Sequence, residues 1–195
     1  IPDGAGVLVP LRWSGYRGLE RVTGVDMAEA LLKQANHRRR SVFLFGASQS
    51  VVEALAKRLS HEFAEIRVVG VRNGFVTTED ENERLCLEIA QAAPDYLFVA
   101  RGTPLQERWL LAQQERFDFG VAIGLGGSFD VLTGQKQRAP VWIQNAGVEW
   151  AYRTVISPKV RLKRMLTEEI PLIPSLITGL IRGRIGTSWS DDRDY

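Results

Sequence analysis

The chain has 195 residues, a formal net charge of +2 and 45% apolar residues. That is enough for one domain with its own core plus an appendage, and too apolar for a disordered protein. The lone Cys86 excludes an internal disulfide and fits a reducing compartment, where a small buried residue is the simplest role for it.

No apolar run approaches the ~20 residues of a membrane-spanning helix; the segment IPLIPSLITGLI is short and broken by Pro171 and Pro174. Charge is unevenly spread, because Arg153, Lys159, Arg161, Lys163, Arg164, Arg182 and Arg184 face only Glu168 and Glu169 between positions 153 and 184. Ile1 begins directly at a motif, with neither an initiator methionine nor a signal peptide, so the chain is expected to lack an N-terminal portion of its domain.

In chain order, IPDGAGVLVPLRW opens with the turn Asp3-Gly4 and an apolar run compatible with helix or strand. Asp26 is placed to N-cap a helix with Met27, Ala30, Leu31 and Ala35 on its apolar face, closed by Arg38, Arg39 and Arg40 where positive charge suits the helix dipole. SVFLFG, Ser41 to Gly46, reads as a buried strand. Ser48 caps a helix carrying Val51, Val52, Leu55, Ala56 and Leu59, and IRVVGV is the next strand.

Thr78 and Glu81 form a capping box for a helix with Leu85, Ile89 and Ala92, which Pro94 stops. DYLFVARG is a further strand, and Thr103, Pro104 and Gln106 look like an N-cap, a first-turn proline and a capping-box glutamine. The chain centres on VAIGLGGSFDVLTGQKQRAP, Val121 to Pro140: an apolar strand that breaks into Gly124, Gly126 and Gly127 and runs on through Ser128 and Asp130. A strand ending in glycines and a carboxylate is where an open α/β sheet holds a ligand, although a tight turn with a solvated loop fits the same residues. From about Ala139 the chain reads as helical and basic. The alternation predicts an α/β, Rossmann-like, mainly parallel sheet with helices on both faces, and a helical basic C-terminal appendage.

Several chemistries are disfavoured. Gly4-Ala5-Gly6 and Gly124-Leu125-Gly126 begin dinucleotide fingerprints, but Val9 and Phe129 stand where the third glycine belongs. There is no GxxxxGK[ST] loop, His37 and His61 are far apart in charged surroundings, and the Asp192–Asp194 pair lies in a polar tail. What remains at strand and helix ends is Asp3, Arg21, Gln106, Glu107, Asp130, Arg138 and Glu149. Singly, each has an ordinary explanation: Asp3 a turn, Gln106 a capping partner of Thr103, Arg21 and Asp26 a surface ion pair.

Together they fall into a pattern. PDGAGV, ERVTGVDM, FLFGAS, GFVTTEDE, GTPLQERW, GLGGSFDVLTGQKQRAP and GVEWAYR follow one another in the order and spacing of the WecG/TagA/CpsF bacterial glycosyltransferases, which the chain resembles over most of its length.

The resemblance implies a Rossmann-like core, here 1–139, and a membrane-associating appendage, here 140–195. It implies metal-independent, inverting transfer of an N-acetylmannosamine-type sugar from a UDP-sugar, with no cofactor. The acceptor would be a polyprenyl-diphosphate-linked sugar at the inner face of the plasma membrane, reached by a cytoplasmic, peripheral protein. The product would feed teichoic acid or another surface polysaccharide, and the resemblance leaves a homo-oligomer open.

Carried over by position, Asp3 would be the general base, and Arg21 would hold phosphate oxygens of the leaving UDP. Gln106, Gly126, Gly127, Ser128 and Asp130 would line the donor pocket, while Arg153, Arg161 and Arg164 would grip the lipid diphosphate or anionic headgroups. The chain departs from the family at Leu105, where a lysine is usual, and lacks the family's N-terminal strand with its Thr-Pro-Asn motif.

Two other functions fit the sequence less well. An epimerase-like nucleotide-sugar protein would need a complete dinucleotide fingerprint and a Tyr-x-x-x-Lys pair, and neither is present. A non-catalytic module docking on a membrane or a nucleic acid would draw on the basic tail, but that tail has few aromatics to stack on bases, so no nucleic-acid partner is expected.

Overall fold

A computed structural model of the chain describes residues 22–117, 119–140 and 143. The chain divides into two compact units, Val22–Arg138 and the remainder, and the described residues belong almost wholly to the first. Its elements are α1 (Gly24–His37), β1 (Ser41–Gly46), α2 (Gln49–Glu62), β2 (Arg67–Arg72), α3 (Glu79–Ala92), β3 (Tyr96–Ala100), α4 (Leu105–Gln113), β4 (Val121–Gly124) and α5 (Ser128–Leu132).

The four strands are parallel and ordered β2-β1-β3-β4, the α/β arrangement the alternation predicts. β1 and β3 are buried along their whole length, as expected of central strands covered on both faces. Their side chains divide by parity. Val42, Leu44, Tyr96, Phe98 and Ala100 pack with α1, α2 and α5; Phe43, Phe45, Leu97 and Val99 pack with α3 and α4. The chain winds one way from β1 to β2 and the other way from β3 to β4, so the topological switch point lies between β1 and β3.

Local signals place most elements. Ser48 caps α2 by accepting from the Val51 N–H, and Thr78 with Glu81 forms the complete capping box on α3. Two expectations fail locally. α1 begins earlier than predicted: Thr23, not Asp26, is its N-cap, accepting from the Asp26 N–H at 3.2 Å. Its buried face is Val25, Ala28, Leu32 and Ala35, whereas Ala30 is exposed and Met27 and Leu31 are only half-buried. Packing selects this neighbouring stripe to face inward, which a mixed apolar pattern cannot decide unaided.

At the opposite end of the sheet from the glycines, Asp95 joins β1 to β3. Its carboxylate accepts from the Ser41 N–H and hydroxyl, both at 2.8 Å, and pairs with Arg40 at 2.9 Å. These hydrogen bonds, ahead of the Arg40 charge, hold the carboxyl below the usual aspartate range. With its folded pKa depressed, Asp95 contributes stability that is full above the unfolded pKa of about 3.9 and lost as pH falls through the folded value. Urea midpoints measured from about pH 6 down to about pH 2 are therefore expected to fall less steeply for Asp95→Asn than for the parent chain. Equal slopes would show that Asp95 takes no part in acid unfolding.

Among the described residues no helix is long and apolar enough to cross a membrane.

Candidate functional site

The carboxyl ends of the strands gather the features that the sequence marks out. β4 ends at Gly124, and the chain turns through Leu125, Gly126 and Gly127 into α5. Gly126 adopts φ +52, in the left-handed region that costs other residues energy. The turn is pinned at both ends by backbone bonds, from the Leu125 N–H to the Val99 carbonyl at 2.7 Å and from the Ser128 N–H to the Leu125 carbonyl at 3.0 Å.

Gln106 holds this turn from the side. It is 4% exposed, and its Oε1 accepts from the Gly126 N–H at 2.8 Å, while its Nε2 donates to Glu107 Oε1 at 2.8 Å. Its side chain packs against Gly124, where a Cβ would lie 2.7 Å from Nε2. The expected capping box with Thr103 does not form. α4 starts at Leu105 with no side-chain cap, and the Thr103 hydroxyl donates to Glu107 at 3.1 Å instead. A glutamine drawn inward to the Gly126 N–H cannot also reach back to the start of its own helix.

Replacing Gln106 with Ala is expected to destabilise the domain by about 1–3 kcal/mol, because the part-buried Gly126 N–H loses its side-chain acceptor among the described residues. Denaturant unfolding measures this, and a change below about 0.5 kcal/mol would remove Gln106 as the support of the turn.

Ser128 and Asp130 occupy the first turn of α5. Ser128 is buried, and its Oγ would be 2.9 Å from a Cβ at Gly24, so the start of α1 approaches the turn closely. Asp130 is half-buried and paired with Lys136 at 3.1 Å. Gln106, Gly126, Gly127, Ser128 and Asp130 are thus brought together by α4, the β4–α5 turn and α5. Asp3, Arg21, Arg153, Arg161 and Arg164 lie outside the described residues, as does Glu149.

Behind the turn, Asp26 accepts from Arg138 at 2.6 Å and from the Thr23 hydroxyl at 2.7 Å, and Arg138 also reaches the Thr23 oxygen at 3.2 Å. Burial raises the Asp26 pKa, but the Thr23 and Arg138 hydrogen bonds and the Arg138 charge outweigh it, so the carboxyl ends below its ordinary range. This cluster ties the segment leaving α5 to the start of α1. Among the described residues, then, the cation that pairs with the Asp26 carboxylate is Arg138.

Sequence reasoning missed Arg101. It follows β3 directly, its guanidinium lies 5.5 Å from the centre of the Phe45 ring, and one terminal nitrogen donates to the Val76 carbonyl at 3.0 Å. The signal was available, since an arginine ends the otherwise apolar run YLFVA.

The family model for the WecG/TagA/CpsF glycosyl transferases matches residues 1–185. A protein of Bacillus subtilis (strain 168), an N-acetylglucosaminyldiphosphoundecaprenol N-acetyl-beta-D-mannosaminyltransferase, is 38% identical over 167 residues, 86% of this chain and 64% of its own length. Proteins of the same name from Bacillus spizizenii and Staphylococcus aureus (strain NCTC 8325) are 35% and 33% identical, over 93% and 88% of this chain and 67% and 65% of their own lengths. The chain therefore spans about two thirds of the length of the curated relatives it matches.

Proposed function

The chain belongs to the WecG/TagA/CpsF glycosyl transferase family, and from that premise we propose that it carries most of an enzyme that moves an N-acetylmannosamine-type sugar from a UDP-sugar to a polyprenyl-diphosphate-linked sugar. The observation that carries the proposal is that relatives similar over 86% or more of the chain share one named activity of this kind. The glycine turn at the carboxyl edge of the parallel sheet fits a nucleotide-sugar pocket, because open α/β sheets bind ligands at that edge.

The chemistry is a single displacement. Asp3 takes the proton of the acceptor hydroxyl as its oxygen bonds to the anomeric carbon. The bond from that carbon to the diphosphate oxygen breaks, and its electron pair leaves with UDP, inverting the centre. Arg21 meets the charge gathering on the leaving diphosphate. Gln106 keeps the Gly124–Gly127 turn rigid, so that pocket residues such as Ser128 and Asp130 do not have to be ordered by the substrate. In the same proposal Arg153, Arg161 and Arg164 meet the lipid diphosphate or anionic headgroups, which makes the protein peripheral on the inner face of the plasma membrane. No metal or cofactor has a part in it.

The test is UDP release by the full-length protein over a panel of UDP-sugars, with a water-soluble lipid-diphosphate N-acetylglucosamine as acceptor and a chelator present. Acceptor-dependent release with UDP-N-acetylmannosamine is expected. Release without acceptor, or from no donor in the panel, would overturn the proposal.

A further inference from the structure

Four described arginines are not fully exposed: Arg58, Arg72, Arg101 and Arg138. Three have a carboxylate partner, Glu62 at 2.9 Å, Glu88 at 3.3 Å and Asp26 at 2.6 Å. Arg101 has none among the described residues. Its Nε is buried with no hydrogen-bond partner, and the guanidinium is held by the Val76 carbonyl and the Phe45 ring, neither of which carries a negative charge. Burial draws its pKa below the usual arginine value, although arginine stays charged at neutral pH.

A cation drawn partly out of water without a counter-charge opposes folding, and that calls for a cause. The position supplies one. Arg101 leaves the central strand β3 beside the switch point between β1 and β3, at the same edge as the glycine turn. Among the described residues, nothing lies within 4 Å of where a Cβ would stand at the neighbouring Gly102, so they leave the space beside this backbone open. The Val76 and Phe45 contacts fix the guanidinium in advance, which lowers the entropy cost of meeting a ligand.

We propose that Arg101 binds the diphosphate of a substrate, offering its charge and the terminal N–H groups not engaged by Val76 to the phosphate oxygens. This rests on the transferase function proposed above and adds to it a binding residue that neither motif nor capping logic points to. A diphosphate occurs in both the donor nucleotide and the lipid-linked acceptor, so the test must separate them.

The experiment is titration calorimetry of the 195-residue chain and its Arg101→Gln variant with UDP, with uridine and with a water-soluble lipid-diphosphate sugar. Arg101→Gln is expected to weaken UDP at least tenfold and leave uridine within twofold, and Arg101→Lys, which keeps the charge but not the fork, to recover part of the loss. Loss confined to the lipid-diphosphate sugar would also support a diphosphate site, with the acceptor as its source. Thermal melting identifies a variant that fails to fold; Arg101→Lys then carries the test, with a threefold or greater loss for a diphosphate ligand expected. Unchanged affinity for both diphosphates in a folded variant overturns the proposal, as does a parent chain that binds neither. The two claims separate cleanly. A protein that transfers sugar while Arg101→Gln binds normally refutes only the arginine. Arg101-dependent binding without sugar transfer by the full-length protein refutes only the transferase.

Discussion

Asp3→Asn in the full-length protein is expected to abolish sugar transfer, a fall in kcat of about a hundred- to ten-thousand-fold, while binding of the UDP-sugar persists. The amide has the shape of the carboxylate but cannot accept a proton at neutral pH, so the acceptor hydroxyl must attack without a base. Donor binding does not need that proton transfer, and KM for the donor should stay near its parent value. A structural role for Asp3 would act differently, lowering the melting temperature and weakening both substrates. Single-turnover rates and calorimetry on the same preparation distinguish the two, and the acidic limb of the pH–rate profile should vanish from any residual activity. Undiminished turnover would remove Asp3 from the mechanism.

The second large effect concerns folding. Gly46→Ala is expected to destabilise the domain by about 3–5 kcal/mol, a large part of the ~5–15 kcal/mol that holds a typical domain together. Gly46 closes β1 at φ +132, which side chains rarely adopt, and a Cβ there would lie 2.4 Å from the Ala100 carbonyl oxygen and 2.6 Å from the Ala100 nitrogen. These are backbone atoms of the paired central strand, which cannot swing aside as a flexible side chain would. The same contact lets the Ala47 N–H reach the Ala100 carbonyl at 2.8 Å, bringing the two strand ends together at the switch point.

Gly102→Ala is the matched control. It also has positive φ, +78, but no neighbour among the described residues within 4 Å of the added carbon, so only the conformational cost of about 1 kcal/mol applies. If denaturant midpoints of the two variants coincide, the Ala100 contact is not what requires glycine at 46.

What was legible from residues alone was whatever depends on near neighbours. The SVFLFG strand, the Ser48 cap and the Thr78–Glu81 capping box rest on adjacent residues or on partners three apart, and each forms as expected. Alternating apolar runs and helical stretches were sufficient for a parallel sheet, since right-handed crossovers leave few other ways to bury both faces. The pattern of short motifs also placed the chain in its family, although no one motif would have done so.

Tertiary structure decided what depends on distance along the chain. Gln106 had an available local partner in Thr103, yet its side chain went to a backbone N–H twenty residues away, because the fold sets the buried Gln106 amide against the glycine turn. Asp26 is bound to Arg138, 112 residues on, and the stripe of α1 that faces inward follows from packing that its own periodicity leaves ambiguous. Arg101 reads in sequence as one more charge; only the fold puts it half out of water with no carboxylate among the described residues. Short-range preferences select the elements, whereas satisfying buried polar groups is a problem that the whole fold has to solve.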